Sequence, residues 1–513
     1  MFLEREGELR QLRDVLSELA VSGGKVVLVR GEAGIGKSTL IREFLDAVGG
    51  AAHLHLGFCD DLQTPQPYGP LWDMGRSEPE LRRSLEARDR QRVLEGFFAM
   101  LALTLRPNVV VIEDIQWSDE ATLDAVKYVG RRIARANGLL VLTYRDGEVD
   151  DYHPLRRVIG DLAPGTVVRV ELGGLSYESV SSIVGSSDLD PQRVFEETRG
   201  NPFLATEMAL AGTDGVPASV RDSVRARLGK LSRSAQHAVK ILSVIPRRVS
   251  LADVTAFTGA SLRELAEGER VGLLEVGDEM VSFRHDLIRR AIEASLTISE
   301  SVGIHRALLE VIPAEADPAL LVYHASQGAD ITRLLALGPE AAEAAKAVGS
   351  NREAAAHFRA LSPHLGRLAL DRRAQVLRDW ALVELYLENA AAMEILDRAI
   401  ELQRDFGTDQ SLAAVLVLGV DVNRTFGRFA TAKENAAEAV AILDRYEPSA
   451  ELASALAAHA WLLIHLGHIG LAEAHADRAL AIAEATGAES AQIDALEARG
   501  ILLYVRGQPG GLD

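Results

Sequence analysis

Gly31-Glu32-Ala33-Gly34-Ile35-Gly36-Lys37-Ser38 constrains this chain more than any other stretch. It satisfies G-x-x-x-x-G-K-[ST], and its neighbours fit the pattern. A β-branched run, 26–29, precedes it, and a helical pattern over 38–48 follows. The glycines let backbone N–H groups wrap a polyphosphate, and the helix aims its positive end at the same anion. Lys37 is expected to reach the β- and γ-phosphates and Ser38 to place its hydroxyl on Mg²⁺. Gly31, Gly34, Ile35, Gly36, Lys37, Ser38 and Thr39 are therefore the candidate ATP-binding residues.

Strand-like runs occur at 25–30, 53–58, 108–112, 139–144 and 166–170, with helical segments at 37–48, 91–105 and 119–134. Continuous apolar strands joined by helices predict an α/β P-loop domain with a parallel sheet of about five strands over residues 1–175. The run Val109-Val110-Val111-Ile112 ends in Glu113-Asp114. Carboxylates at the C-terminal edge of such a sheet face the nucleotide crevice. One can hold Mg²⁺ through water while the other orients or deprotonates the attacking water. Which acid does which stays open in the sequence. Arg145, after the next strand, can touch the γ-phosphate or sit as a solvated strand-end charge. Trp117 reads as packing, and Cys59 as a small buried hydrophobe.

Residues 176–215 read as a helical lid. Residues 216–300 read as helices followed by a hairpin around Gly277-Asp278, the pattern of a winged helix. From 301 to 513 the chain is Ala- and Leu-rich and helical. Gly427, Gly467 and Gly507 recur 40 residues apart, as do Ala399, Ala439 and Ala479. Two markers in step predict stacked helical hairpins similar to tetratricopeptide repeats, with a longer period than the usual ~34 residues. A looser copy is expected over 341–361, turning at Gly349. The last unit reaches its turn at Gly507 and lacks a second helix, so a truncated architecture is expected, with residues 502–505 uncovered.

The formal net charge is −19. Arg-Arg pairs at 131–132, 156–157 and 289–290 are scattered among acids, so nothing in the chain argues for direct DNA binding, which needs a basic face. No run is apolar and long enough to span a bilayer, and the first residues lack a signal-peptide core. One cysteine excludes an internal disulfide framework and fits a reducing cytoplasm.

The phosphate loop, Glu113-Asp114-Ile115-Gln116-Trp117-Ser118-Asp119, Thr143-Tyr144-Arg145, Gly200-Asn201-Pro202-Phe203 and Phe283-Arg284-His285-Asp286 occur in that order. Together they resemble STAND signal-transduction ATPases, and more narrowly the AAA/Orc1-like ATPase module of large LuxR-family (LAL) bacterial transcriptional regulators. The resemblance implies that Arg145 is a sensor arginine, that Pro202 lies against adenine, and that His285 reaches the β-phosphate of ADP. It also places Arg5 of the N-terminal motif at the nucleotide. That motif usually begins with Gly where this chain has Glu4, and position 116 is Gln where His is usual. The C-terminal helix-turn-helix of those regulators has no counterpart here.

The expectation is an ATP-binding switch with slow Mg²⁺-dependent hydrolysis, able to self-associate and answering to an inducer or protein partner on the repeats. A repeat scaffold with structural nucleotide and little hydrolysis is the alternative. DNA binding through a hidden surface is a weaker third.

Overall fold

The computed structural model describes residues 3–62, 64–102, 106–185, 189–211, 220–245, 248–277 and 279–506. The expectations placed on Leu105, Val216, Asp278 and Gly507 lie outside these residues. The chain divides into two compact units, Met1–Glu353 and Ala354–Asp513.

The first unit opens with α1 (Glu6–Ser22), β1 (Lys25–Arg30), α2 (Lys37–Val48) and β2 (His53–Phe58). Next come α3 (Gly69–Gly75), α4 (Pro79–Glu86), α5 (Arg90–Leu101), β3 (Asn108–Glu113) and α6 (Glu120–Gly130). β4 (Gly138–Tyr144), α7 (Pro154–Asp161) and β5 (Val167–Glu171) complete a five-stranded parallel sheet of order β2-β3-β4-β1-β5. Alternate strand residues feed two cores. Val27, Val29, Val109, Val111 and Val141 pack with Leu12 of α1 and Phe44 of α2. Val26, Leu28, Val110, Ile112 and Leu142 pack with Phe97 of α5 and Val126 of α6. Both faces of the inner strands are covered, which is why β1, β3 and β4 read as nearly unbroken apolar runs, while the edge strands β2 and β5 are partly exposed. Helix α6 ends four residues before the expected 134, and residues 133–135 form a single 3₁₀ turn.

Helices α8 (Tyr177–Val184), α9 (Pro191–Thr198) and α10 (Pro202–Ala211), the expected lid segment, share a small core of Leu175, Val180, Val194 and Ala205. Helix α11 (Val220–Leu228) is followed by a compact run: α12 (Arg233–Ser243), β6 (Val249–Ser250), α13 (Leu251–Thr258), α14 (Leu262–Arg270), β7 (Leu274–Val276), β8 (Met280–Phe283) and α15 (Asp286–Glu293). The expected hairpin is β7–β8, and β6 adds a third antiparallel strand in the order β6-β8-β7. Helices α16 (Ile298–Val311), α17 (Pro318–Gln327) and α18 (Ile331–Ala347) belong to this unit, as do the first residues of α19 (Asn351–Leu361).

The second unit is all helical: α20 (Leu370–Tyr386), α21 (Ala391–Phe406), α22 (Asp409–Thr425), α23 (Phe429–Leu443), α24 (Ala450–His465), α25 (Ile469–Thr486) and α26 (Glu489–Val505). Gly427 (φ +79°) and Gly467 (φ +80°) turn α22 into α23 and α24 into α25. Each turn closes with the same pair of backbone bonds, Arg428 N–H to Asn423 O and His468 N–H to Leu463 O being the longer loops. This is the Schellman arrangement, in which the left-handed residue is usually Gly. Glu388 (φ +53°) fills that position between α20 and α21 and closes the same loop, Asn389 N–H to Glu384 O. The repeat therefore has a copy that a glycine count misses. Leu502 is buried against α24, while Tyr504 and Val505 are more than half exposed.

Candidate functional site

β1 is buried from Val26 to Val29 and delivers the chain to Gly31 at the C-terminal edge of the sheet. Gly34 holds φ +80°, and a Cβ there would stand 2.8 Å from Cβ of Phe203. Only glycine fits both constraints. Gly36 (φ +103°) caps α2, so the helix N-terminus opens toward the loop. Ile35 is buried, Thr39 half-buried and Ser38 exposed on the first turn. Lys37 is buried, its Nζ donating to the carbonyls of Gly31 (2.8 Å) and Glu32 (2.9 Å). Burial pushes its pKa down to about 8, against the opposing pull of Asp114. An ammonium so desolvated gains more from an incoming phosphate than an exposed one would.

The two acids at the end of β3 face different partners. Glu113 is buried and accepts a hydrogen bond from the Ser38 hydroxyl. Burial raises its pKa, and the Ser38 bond works against that rise. Asp114 takes a left-handed backbone (φ +53°) that turns its carboxylate away, toward Arg145 Nε at 3.3 Å and Gln116 Nε2 at 3.1 Å. Its backbone N–H donates to Thr143 Oγ1 at 2.9 Å, which fixes this turn against β4.

Arg145 is 5 % exposed and reaches three carboxylates: Asp114, Glu148 (3.1 Å) and Asp286 (3.5 Å). Burial opposes its charge, but Asp114, Glu148 and Asp286 together outweigh that and raise its pKa. Its guanidinium also lies 4.1 Å from the Trp117 ring centroid, so Trp117 is a cation–π platform as well as packing.

The start of α10 bonds directly to the loop. Asn201 Nδ2 donates to Ala33 O at 2.9 Å, and Phe203 N–H to Gly34 O at 3.3 Å. Pro202, between them, is half-buried at the first position of α10. Phe203 stacks on His285 with ring centroids 4.1 Å apart. His285 caps α15 by accepting Leu287 N–H on Nδ1 (3.1 Å), which leaves the proton of the neutral ring on Nε2. Burial, aided by Arg145, pushes its pKa down to about 4, so the ring is neutral near pH 7. Asp286, next in sequence, also bonds Arg289 and Arg290 at 2.8 Å each, and Arg290 continues to Asp61 at 2.7 Å.

Arg5 donates to Ile35 O (3.4 Å) and Gly173 O (2.5 Å), bracing the loop by its backbone carbonyls. Glu4 keeps the left-handed conformation (φ +53°) that a glycine would supply. Its carboxylate bonds both the backbone N–H and the hydroxyl of Ser176, the cap of α8, and these bonds hold its pKa down.

The acid segment has a further attachment. Asp119 is 1 % exposed, caps α6 through Thr122 N–H (2.9 Å), and accepts from Ser350 Oγ at 3.4 Å. Ala121 N–H donates to Ser350 Oγ (3.3 Å), and Arg352 N–H to Glu120 Oε2 (3.2 Å). Glu353 is buried beside Asp119, facing the backbone of Glu120. Glu120 thus caps the N-terminus of α19. Burial pushes Glu353 up to about 8 and Asp119 to about 6, the proximity of the two adding to the Glu353 rise.

Lys37, Ser38, Glu113, Asp114, Arg145, Pro202 and His285 line one loop-and-sheet edge, and Arg5 is buried against the loop carbonyl of Ile35. Sequence reasoning placed Thr143, Asn201 and Asp286 in motifs without giving them a role, and passed over Glu353. Asp286 carries a local signal, an acid opening a helix three and four residues before Arg289 and Arg290. The Ser38–Glu113 pair supplies hard oxygen donors of the kind Mg²⁺ takes, and Mg²⁺ takes few protein ligands where phosphates supply the rest. Among the described residues no cluster of three or more His, Cys, Asp or Glu could hold a metal by itself.

The family model of the AAA ATPase domain matches residues 1–142, spanning α1, the phosphate loop and both acids. This segment is similar to AAA ATPase domains; Arg145, Pro202 and His285 lie beyond it. No curated protein matches the chain in sequence. Among solved structures, a STAND protein with a tetratricopeptide repeat sensor from Pyrococcus horikoshii is 15% identical with a TM-score of 0.44, covering 98% of this chain and 80% of that one. A Walker-type ATPase of Pyrococcus abyssi is 13% identical with a TM-score of 0.30, covering 57% and 96%. Cdc6p from Pyrobaculum aerophilum is 12% identical with a TM-score of 0.30, covering 58% and 96%. Among the described residues no helix is long and apolar enough to cross a membrane.

Proposed function

We propose that the chain is a nucleotide-driven signalling switch of the STAND type with slow Mg²⁺-dependent ATP hydrolysis, akin to the regulatory module of LuxR-family regulators. The run from α12 to β8 is then a winged helix, with β6 and the β7–β8 hairpin as its sheet. One observation carries the reading. Arg145 leaves the sheet beside Asp114 and ends on Asp286, whose neighbour His285 stacks on Phe203 of the lid. Phosphate loop, lid and winged helix therefore meet in one contiguous set of side chains, so a change at the phosphates is felt by all three.

In the ADP-bound form, the neutral His285 Nε2–H donates to the β-phosphate and Pro202 lies against adenine, which holds the three segments closed. Lys37 neutralises the phosphates. Glu113, tied to Ser38, serves the metal side of the site, and Asp114, aimed by Arg145 and Gln116, orients the attacking water and takes its proton. Mg²⁺, when bound, would neutralise charge on the β- and γ-oxygens. An inducer or protein partner on the helical repeats drives the switch only if it binds the open state better than the closed one.

The test is to purify the chain, identify retained nucleotide by chromatography, and follow phosphate release beside Lys37→Ala. Copurified ADP with slow, Lys37-dependent turnover is expected. Retained nucleotide without turnover would favour a repeat scaffold with structural nucleotide, and no binding at all would sink the reading.

A further inference from the structure

Arg248 stands just before β6, and its guanidinium carbon lies 4.0 Å from the Phe58 ring centroid. Phe58 ends β2 and pairs with Glu113 at the end of β3, as Leu56 pairs with Val111. Leu56 and Val111 both pack in the core on the α1–α2 side. Because strand side chains alternate with period two, Phe58 and Glu113 project to that side as well. It is the side from which Ser38 meets Glu113. A guanidinium stacked on Phe58 is therefore a neighbour of the Glu113 carboxylate, and its charge acts to lower that group's pKa.

The strand order β2-β3-β4 places Arg145 and Arg248 on opposite flanks of the two acids. Their surroundings differ. Arg145 is buried among three carboxylates. Arg248 is exposed, and among the described residues no ion pair holds it. A cation–π contact is weak enough to leave the N–H donors of Arg248 available to an anion arriving in front of Ser38.

We propose that Arg248 is a phosphate-contacting arginine, delivered in cis to the γ-phosphate of ATP by the helix–strand module that carries it. This rests on the reading of the site as an ATPase. In the step, a water oxygen bonds to the γ-phosphorus and its proton passes to Asp114. The bond from γ-phosphorus to the bridging oxygen breaks, and that electron pair leaves on ADP. Arg248 donates N–H bonds to the γ-oxygens throughout and emerges unchanged. Hydrolysis then requires the module to be docked on the sheet edge, so undocking preserves bound ATP.

The experiment uses the full chain with Mg-ATP. Single-turnover phosphate release is measured for wild type, Arg248→Ala, Arg248→Lys, Phe58→Leu and Lys37→Ala, with ADP affinity measured alongside. Arg248→Ala is expected to slow release by about 100-fold or more while ADP affinity stays within about twofold. Arg248→Lys is expected to stay close to Arg248→Ala, because lysine lacks the planar fork. Phe58→Leu, which removes the platform and keeps the charge, should give an intermediate rate. Turnover of Arg248→Ala within about threefold of wild type would overturn the proposal, as would an equal loss of ADP affinity. Wild type without Lys37-dependent turnover would instead remove the ATPase reading on which the proposal stands.

Discussion

Glu353→Gln is expected to stabilise the first unit, increasingly so as pH rises. Glu353 is 8 % exposed, faces the acids Asp119 and Glu120, and has one carboxyl oxygen, Oε2, without a hydrogen-bond partner. Its pKa rises from the ordinary 4.5 to about 8 on folding. A carboxyl held more tightly protonated in the folded state contributes its full stability below pH 4.5 and loses it as pH climbs through 8. Integrating that linkage gives a cost to wild type of about 1 kcal/mol at pH 5, about 3 kcal/mol at pH 7 and about 5 kcal/mol above pH 9. Gln mimics the protonated carboxyl in size and keeps the acceptor that faces the Glu120 backbone, so the variant escapes this cost. Equilibrium urea unfolding of both proteins at pH 5, 7 and 8.5 measures the difference. A gap that widens with pH is expected. A variant less stable than wild type at pH 8.5, or a gap independent of pH, would refute the reasoning.

Asp286→Ala leaves the guanidinium groups of Arg145, Arg289 and Arg290 without their shared carboxylate. A loss of about 3 kcal/mol by urea unfolding is expected, with faster release of fluorescent ADP in stopped flow. Gly34→Ala forces a Cβ to 2.8 Å from Phe203 at φ +80°. It should weaken nucleotide binding at least tenfold by titration calorimetry while the circular dichroism of the helices is unchanged. His305 and His357 are about 1 % exposed, and burial pushes each down to about 4. A depressed histidine contributes stability that is full above pH 6.5 and lost as pH falls toward 4, so each should cost about 2 kcal/mol at pH 5. His357→Gln should flatten the fall in urea midpoint between pH 7 and pH 5.

The inner strands β1, β3 and β4 were legible because both their faces are buried, which left nearly unbroken apolar runs, whereas the edge strands β2 and β5 carry His53, His55 and Arg169 and are partly exposed. The loop residues were legible because phosphate binding imposes a fixed spacing on Gly31, Gly34, Gly36, Lys37 and Ser38. The repeat was read only where glycine marks the left-handed turn, at Gly349, Gly427 and Gly467. Glu388 and Ala329 take the same conformation, at φ +53° and +50°, and carry no compositional mark. Strand β6 is two residues long, too short for a period to register. The different partners of Glu113 and Asp114 depend on the left-handed backbone of Asp114, which no pattern in the sequence announces. The Asp119–Ser350–Glu353 contact joins residues more than 200 positions apart, and no local pattern can report it. A glycine-based motif hid Glu4 for the opposite reason: the residue differs, but the backbone it adopts is the one glycine favours.

The central claim is that the nucleotide state is read by α15 and the β6–β8 sheet through Arg145, His285 and Asp286. Hydrogen–deuterium exchange of the full chain with ADP, and with a non-hydrolysable ATP analogue, tests it directly. Slow exchange over residues 249–293 with ADP and a clear gain in exchange there with the analogue is the predicted result. Identical exchange over those residues in the two nucleotide states, with both nucleotides bound, would contradict the account.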